Sequence, residues 1–195
     1  MTDFNVVLFD NFETLDAFGP AEIIGKMPND YILSYYSLEG GLVRSSQNIL
    51  VMTEPLRKII PGGILLIPGG MGTRELVDNT VFITTLKELA IQSSYILTVC
   101  TGAALLARTG LLDGRRATSN KLAFGWVCSV NPAVKWVRQA RWVVDERIYT
   151  SSGVSAGMDM TLGFIRDLHG ADTANKVAQY IEYIWNSDMD TDPFA

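Results

Sequence analysis

The sequence predicts an α/β protein: a single-domain sandwich with a mostly parallel central sheet flanked by helices. Three observations predict it. Short, mostly apolar runs, such as Phe4–Phe9, Gly63–Ile67 and Tyr95–Val99, read as strands covered on both faces. Segments of helical pattern alternate with them from one end of the chain to the other. The 195 residues contain no repeat, low-complexity stretch or linker long enough to divide them, and about 100–200 residues make one domain. The domain is therefore expected to span 1–195.

Taken in order, Phe4–Phe9 (FNVVLF) is the first strand and Asp16–Lys26 the helix after it. Asp16 is placed to cap that helix, because its side chain can accept from first-turn N–H groups. Tyr31–Leu38 is rich in β-formers and reads as a second strand. Leu42–Arg44 and Ile49–Met52 read as a short pair around Ser45–Asn48. Gly63–Ile67 is a strand closed by Pro68-Gly69-Gly70; Arg74–Asp78 and Phe82–Gln92 read as helices. Tyr95–Val99 is a buried strand and Thr101–Thr109 its helix. Ala117–Thr118 opens a further β/α unit with a helix over Leu122–Ser129. Trp142–Val144 and Ile148–Thr150, split by Asp145-Glu146-Arg147, read as a hairpin. Val154–Leu168 and Ala171–Trp185 read as two helices, and Asn186–Ala195 as a short acidic tail.

Composition narrows the function. An apolar fraction of 48% excludes intrinsic disorder. Lys+Arg 16 against Asp+Glu 21 gives a net charge of −5, without the basic patch that nucleic-acid binding or a membrane surface requires. The longest apolar runs fall far short of the roughly 20 residues of a membrane helix, and Met1-Thr2-Asp3 does not open a signal peptide. Two cysteines, Cys100 and Cys128, form neither a disulfide framework nor a metal site. A reduced, cytoplasmic protein without metal or cofactor is expected. The only histidine is His169, which removes most of the usual acid–base chemistry.

In an open parallel sheet, ligands collect at the carboxyl ends of the strands. Three polar constellations fall there: Asp10–Asp16, Pro68–Gly72 and Val99–Ala103. Cys100 ends a buried strand and immediately precedes a helix, the geometry of a nucleophile elbow. The helix dipole and free N–H groups there favour a thiolate, and Thr101 N–H can point at an oxyanion on whatever Cys100 attacks. The plainer reading is that Cys is among the most buried residue types. Cys128, between Trp126 and Val130, reads as core. Gly69 and Gly70 let backbone N–H groups approach a substrate, with Gly70 the candidate second donor. Asp16 can be an N-cap and also a proton carrier, since a carboxylate facing a thiolate has its pKa raised. Asp10 and Glu13 are weaker alternatives. His169, before Gly170, reads as a helix end rather than a catalytic partner. The four tryptophans form no stacking platform.

Tyr95–Arg116 (YILTVCTGAALLARTGLLDGRR) resembles the core of the ThiJ/PfpI superfamily, the Parkinsonism-associated deglycase group. Asp10 with Leu15–Glu22, Ile67–Gly72 and Thr150–Asp159 extend the likeness in family order over nearly the whole chain. The resemblance implies a flavodoxin-like, class I glutamine amidotransferase-like fold and a homodimer. Leu15-Asp16 with Gly19-Pro20, and Gln179–Tyr183, are most similar to the branch of isocyanide hydratase and the sensor domains of AraC-type regulators. Carried over by position, the hydratase nucleophile falls on Cys100, the acid–base carboxylate on Asp16, a neighbouring hydroxyl on Thr101, and backbone donors on Gly70 and Thr101. The turn containing Gly153 and Val154 would shape the pocket. Where this branch commonly reads Thr-His-Trp, the chain has Ser119-Asn120-Lys121, and Asn120 cannot accept a proton. That counts against His-dependent amidase or deglycase chemistry. Isocyanide hydration is the concrete expectation. The alternatives are a glyoxalase-like enzyme on α-oxo aldehydes and a ligand- or redox-sensing domain without a DNA-binding module.

Overall fold

A computed structural model describes residues 1–195. Eight strands form the main sheet in the order β3-β4-β2-β1-β5-β6-β10-β9. They are β1 (Thr2–Val7), β2 (Tyr31–Ser37), β3 (Gly41–Arg44), β4 (Leu50–Pro55), β5 (Ile64–Ile67), β6 (Tyr95–Thr98), β9 (Trp142–Asp145) and β10 (Ile148–Ser151). The six strands from β4 to β10 pair in parallel. Only the edge strands β3 and β9 run antiparallel to their neighbours. The mostly parallel sheet follows from the apolar runs: all four residues of β5 are buried, a composition that suits a strand covered on both faces.

The helices divide into two packed groups. The first comprises α1 (Thr14–Gly25), α6 (Ser155–His169) and α7 (Ala171–Tyr180); the second α2 (Thr73–Leu76), α3 (Thr80–Gln92), α4 (Gly102–Arg108) and α5 (Phe124–Val130). One continuous core holds them, with Trp142, Phe4, Phe12, Phe82 and Phe164 its largest fully buried side chains.

Three expectations need correcting. Ala117 does not join the main sheet: β7 (Arg116–Ala117) pairs with β8 (Lys135–Trp136) as a separate two-stranded ribbon. The last helix stops at Tyr180, because Tyr183 and Trp185 turn back to hydrogen-bond Asp159, through Tyr183 Oη to Asp159 Oδ1 at 3.0 Å and Trp185 Nε1 to Asp159 O at 3.1 Å. The segment Asn186–Ala195, read as a short acidic tail, is docked against the domain. Arg141 N–H donates to Met189 O at 2.8 Å, and buried Asp192 lies 3.6 Å from Arg141 and 3.7 Å from Lys121. Two buried cations, Lys121 and Arg141, explain it, since buried charge needs a counter-charge.

Asp159 is the hub of that arrangement. It accepts from Arg141 Nε at 2.7 Å and from Asn186 N–H at 3.0 Å, besides Tyr183. Asp159→Ala leaves Arg141 buried without its main partner, and is expected to lower the unfolding free energy by about 3–5 kcal/mol in urea denaturation. Limited proteolysis should then cut within 181–195 first.

Candidate active site

The carboxyl ends of β1, β5 and β6 face one another, and the loops leaving them carry the site. Cys100 lies between β6 and α4 with φ 57°, left-handed backbone that a side chain disfavours by about 1–2 kcal/mol. Ordinary hydrogen bonds hold that conformation on both sides. Cys100 N–H donates to Ser152 O at 3.0 Å, and its carbonyl accepts from Ser119 Oγ at 2.6 Å. The backbone N–H groups of Thr101 and Val154 and the Thr101 hydroxyl are near enough to the sulfur to favour its ionisation. The elbow thus places the side chain at the head of α4, where the sequence puts it.

Asp16 comes from the first turn of α1 but does not cap it. The helix begins two residues earlier, with Glu13 at the N-cap position. Pulled inside, Asp16 is fully buried, and its Oδ2 accepts from Gly69 N–H at 2.9 Å. Oδ1 has no hydrogen-bond partner. Burial, reinforced by the nearby Glu13 charge, pushes the carboxyl up to about 7 against the partial offset of the Gly69 N–H. Burial also pushes the Cys100 thiol up to about 12, with Asp16 adding to the rise. The expectation of a ready thiolate is corrected here. The N–H groups around the sulfur favour its ionisation, but desolvation and the facing carboxylate oppose it more strongly. Each group thus opposes the ionisation of the other.

Gly69 explains how close the loops come. A Cβ there would lie 2.6 Å from Thr101 N, 2.7 Å from Thr101 Oγ1 and 2.9 Å from Asp16 Oδ2. The Gly70 N–H, expected to serve a substrate, instead donates to the buried Thr101 Oγ1 at 3.0 Å. The Val154 N–H is the further backbone donor near the sulfur. Val154 itself has φ 27°, a strained entry into α6.

A cavity of about 440 Å³ opens over the sulfur; Glu13, Gly70, Arg74, Thr101, Asn120 and Val154 are among its walls. Of the residues expected at the site, Cys100, Thr101, Gly70, Asn120 and Val154 line it. Asp16 and Gly69 lie behind its wall, and Gly153 lines an adjoining recess of about 370 Å³. Asn120 Oδ1 accepts from Ala123 N–H at 3.0 Å, so it serves the turn before α5. Asp10 is exposed and accepts from Arg44 N–H at 2.8 Å. His169 lies at the opposite, amino edge of the sheet, its Nε2 2.6 Å from Tyr31 Oη. Cys128 is half-buried rather than core. Sequence reasoning missed Arg74, whose guanidinium carbon lies 3.4 Å from the ring centroid of Trp126. Its signal was present: it lies just past the Pro68–Gly72 turn, in a short helix beginning at a strand's carboxyl end.

Fold and site together define an α/β protein with a cysteine at a strained strand-to-helix turn, backed by a buried carboxyl group. The chain belongs to the DJ-1/PfpI family, whose model matches residues 4–167. It is similar to the isonitrile hydratase of Pseudomonas putida, with 28% identity over 91% of this chain and 76% of that one. It is also similar to the HTH-type transcriptional regulator CdhR of Pseudomonas aeruginosa, at 29% identity over 91% of this chain but only 54% of the regulator. Among solved structures, a ThiJ/PfpI family protein from Pseudomonas syringae superposes with a TM-score of 0.85 and 23% identity, covering 98% of this chain and 76% of that one. No helix is long and apolar enough to cross a membrane.

Two outcomes follow from the packing around Asp16. Its carboxyl binds a proton more tightly in the folded state, at about 7 against 3.8. The stabilisation this provides is full below about pH 4 and is lost as pH rises toward 7. Asp16→Asn cannot ionise, so thermal melts should show the variant gaining on the parent between about pH 4 and pH 8. A constant difference would contradict the raised carboxyl. Gly69→Ala forces a methyl group into the contacts above and should cost about 1–3 kcal/mol in denaturant unfolding.

Proposed function

We propose that this protein is a cysteine-dependent enzyme acting on small electrophiles, most concretely one that hydrates isocyanides to N-substituted formamides. The observation that carries the reading is the pair formed by Cys100 and Asp16. The thiol is fixed at a strained turn under a cavity, and the buried acid behind it has one oxygen free of any partner. The only imidazole is at the far edge of the sheet, so Asp16 is the proton carrier nearest the sulfur. Similarity to an isonitrile hydratase over most of both chains supports the same chemistry.

The steps balance as follows. The Cys100 sulfur attacks the terminal isocyanide carbon while its proton passes to the Asp16 carboxylate. That proton then goes to the same carbon, giving a thioimidate, R–N=CH–S–Cys. Water adds to the thioimidate carbon, losing a proton to Asp16. Asp16 returns that proton to the imidate nitrogen, the hydroxyl proton passes to the departing sulfur as the C–S bond breaks, and R–NH–CHO leaves. The Thr101 and Val154 N–H groups steady negative charge on the sulfur as it enters and leaves the covalent state.

Two other readings share this site. Attack of Cys100 on an α-oxo aldehyde would use the same two residues. A sensing role, drawn from the likeness to CdhR, would use the cavity to bind a ligand without turnover. A homodimer is proposed on the family resemblance.

Purified protein should convert p-nitrophenyl isocyanide to the formamide. Cys100→Ala should abolish turnover, and Asp16→Asn should lower it by about 10²–10⁴-fold. Turnover of methylglyoxal with none of the isocyanide would select the aldehyde reading. Turnover of neither, with Cys100 still open to alkylation, would select the sensor.

A further inference from the structure

Arg74 is a cation without an anion. It takes part in none of the molecule's ion pairs. Its Nη1 is buried and has no hydrogen-bond partner. Nη1 is closed off by protein, so an occupant of the cavity is left the Nε and Nη2 donors, for which the chain supplies no acceptor either. The side chain is nevertheless firmly placed, stacked on Trp126 with its guanidinium carbon 3.4 Å from the ring centroid. Stacking holds the guanidinium plane against the indole and leaves its edge for a planar acceptor. That cation lines the same cavity as Cys100.

The negative groups nearby do not satisfy it. Glu13 shares the cavity but accepts from Gln47 Nε2 at 3.1 Å and makes no ion pair with Arg74. Asp16 lies behind the wall on Gly69 N–H. Both disfavour a doubly charged occupant such as a phosphate monoester. A singly charged planar group, able to take two parallel N–H bonds from a guanidinium, fits better. The remaining walls include Met71, Leu122 and Ala123, and the volume of about 440 Å³ suits a small molecule.

We infer that the occupant of this cavity is a small carboxylate-bearing electrophile, its carboxylate held by Arg74 and its reactive carbon presented to Cys100 Sγ. The inference rests on Cys100 as the nucleophile of the proposed function, but not on isocyanide chemistry.

Alkylation at Cys100 by iodoacetate and by iodoacetamide tests it. Both reactions form one S–CH₂ bond and expel iodide, with the thiol proton lost to solvent; only the iodoacetate carries a carboxylate. Their rate ratio cancels changes in the intrinsic reactivity of the sulfur. Peptide mass spectrometry separates Cys100 from Cys128, and glutathione supplies the reference ratio. The iodoacetate-to-iodoacetamide ratio at Cys100 should exceed that of glutathione by about tenfold, the size of one charged hydrogen-bonded contact. Arg74→Met should return it to the glutathione value. Arg74→Lys, which keeps the charge and loses the fork, should fall between. A wild-type ratio equal to that of glutathione, or one unmoved in Arg74→Met, would overturn the inference. Silence of Cys100 toward both reagents would overturn the nucleophile reading and this inference with it. A raised ratio without isocyanide turnover would retire hydration alone and leave the carboxylate-bearing electrophile standing.

Discussion

A carboxyl group removed from water must be met by a donor, and the hydrogen bond from Gly69 N–H to Asp16 Oδ2, at 2.9 Å, meets that requirement. It joins the helix that follows β1 to the loop that follows β5. Because residue 69 has no side chain, the Thr101 backbone after β6 can close on the same point. Three strands separated by long stretches of chain are thereby registered at one edge of the sheet. The parallel fold brings their carboxyl ends together; this contact sets the spacing of the thiol, the hydroxyl and the acid within that edge.

The same contact determines the electrostatics. Burial raises Asp16 and Cys100 together, and each group resists the ionisation of the other. A solvent-exposed cysteine at a helix start would be a thiolate of general reactivity. Here burial and the facing carboxyl group keep the thiol protonated more strongly than an exposed cysteine. The left-handed backbone at Cys100 belongs to the same design, since strain at one residue is tolerated where hydrogen bonds from Ser119 and to Ser152 determine the conformation around it.

Much of this was legible in the residues, and for physical reasons. Mostly apolar runs declare strands buried on both faces, so β1, β5 and β6 were readable. The alternation with helices declared the parallel order. Cys100 between a strand and a helix needs no tertiary information to be placed at a turn. Other features depend on contacts between distant segments, which no local pattern encodes. The docking of 186–195 needs Arg141 and Lys121 to be buried first. The departure of Gly70 N–H to Thr101 Oγ1 depends on how two loops meet. The nearness of the Val154 N–H to the sulfur depends on the turn after β10 meeting the turn after β6, two strands that pair in parallel. Arg74 was read as part of a helix, and its role became visible only with Trp126 beneath it.

The placement of His169 has a practical consequence for spectroscopy. The chain has a single imidazole, and it sits against Tyr31 at the far edge of the sheet from Cys100. An inflection near neutrality in the chemistry of the sulfur therefore does not come from an imidazole, and the buried Asp16 carboxyl, raised to about 7, is a group whose proton could be followed there. Imidazole proton resonances would be blind to it, while an isotope-edited carbonyl stretch in the infrared would follow the proton directly as it leaves Asp16.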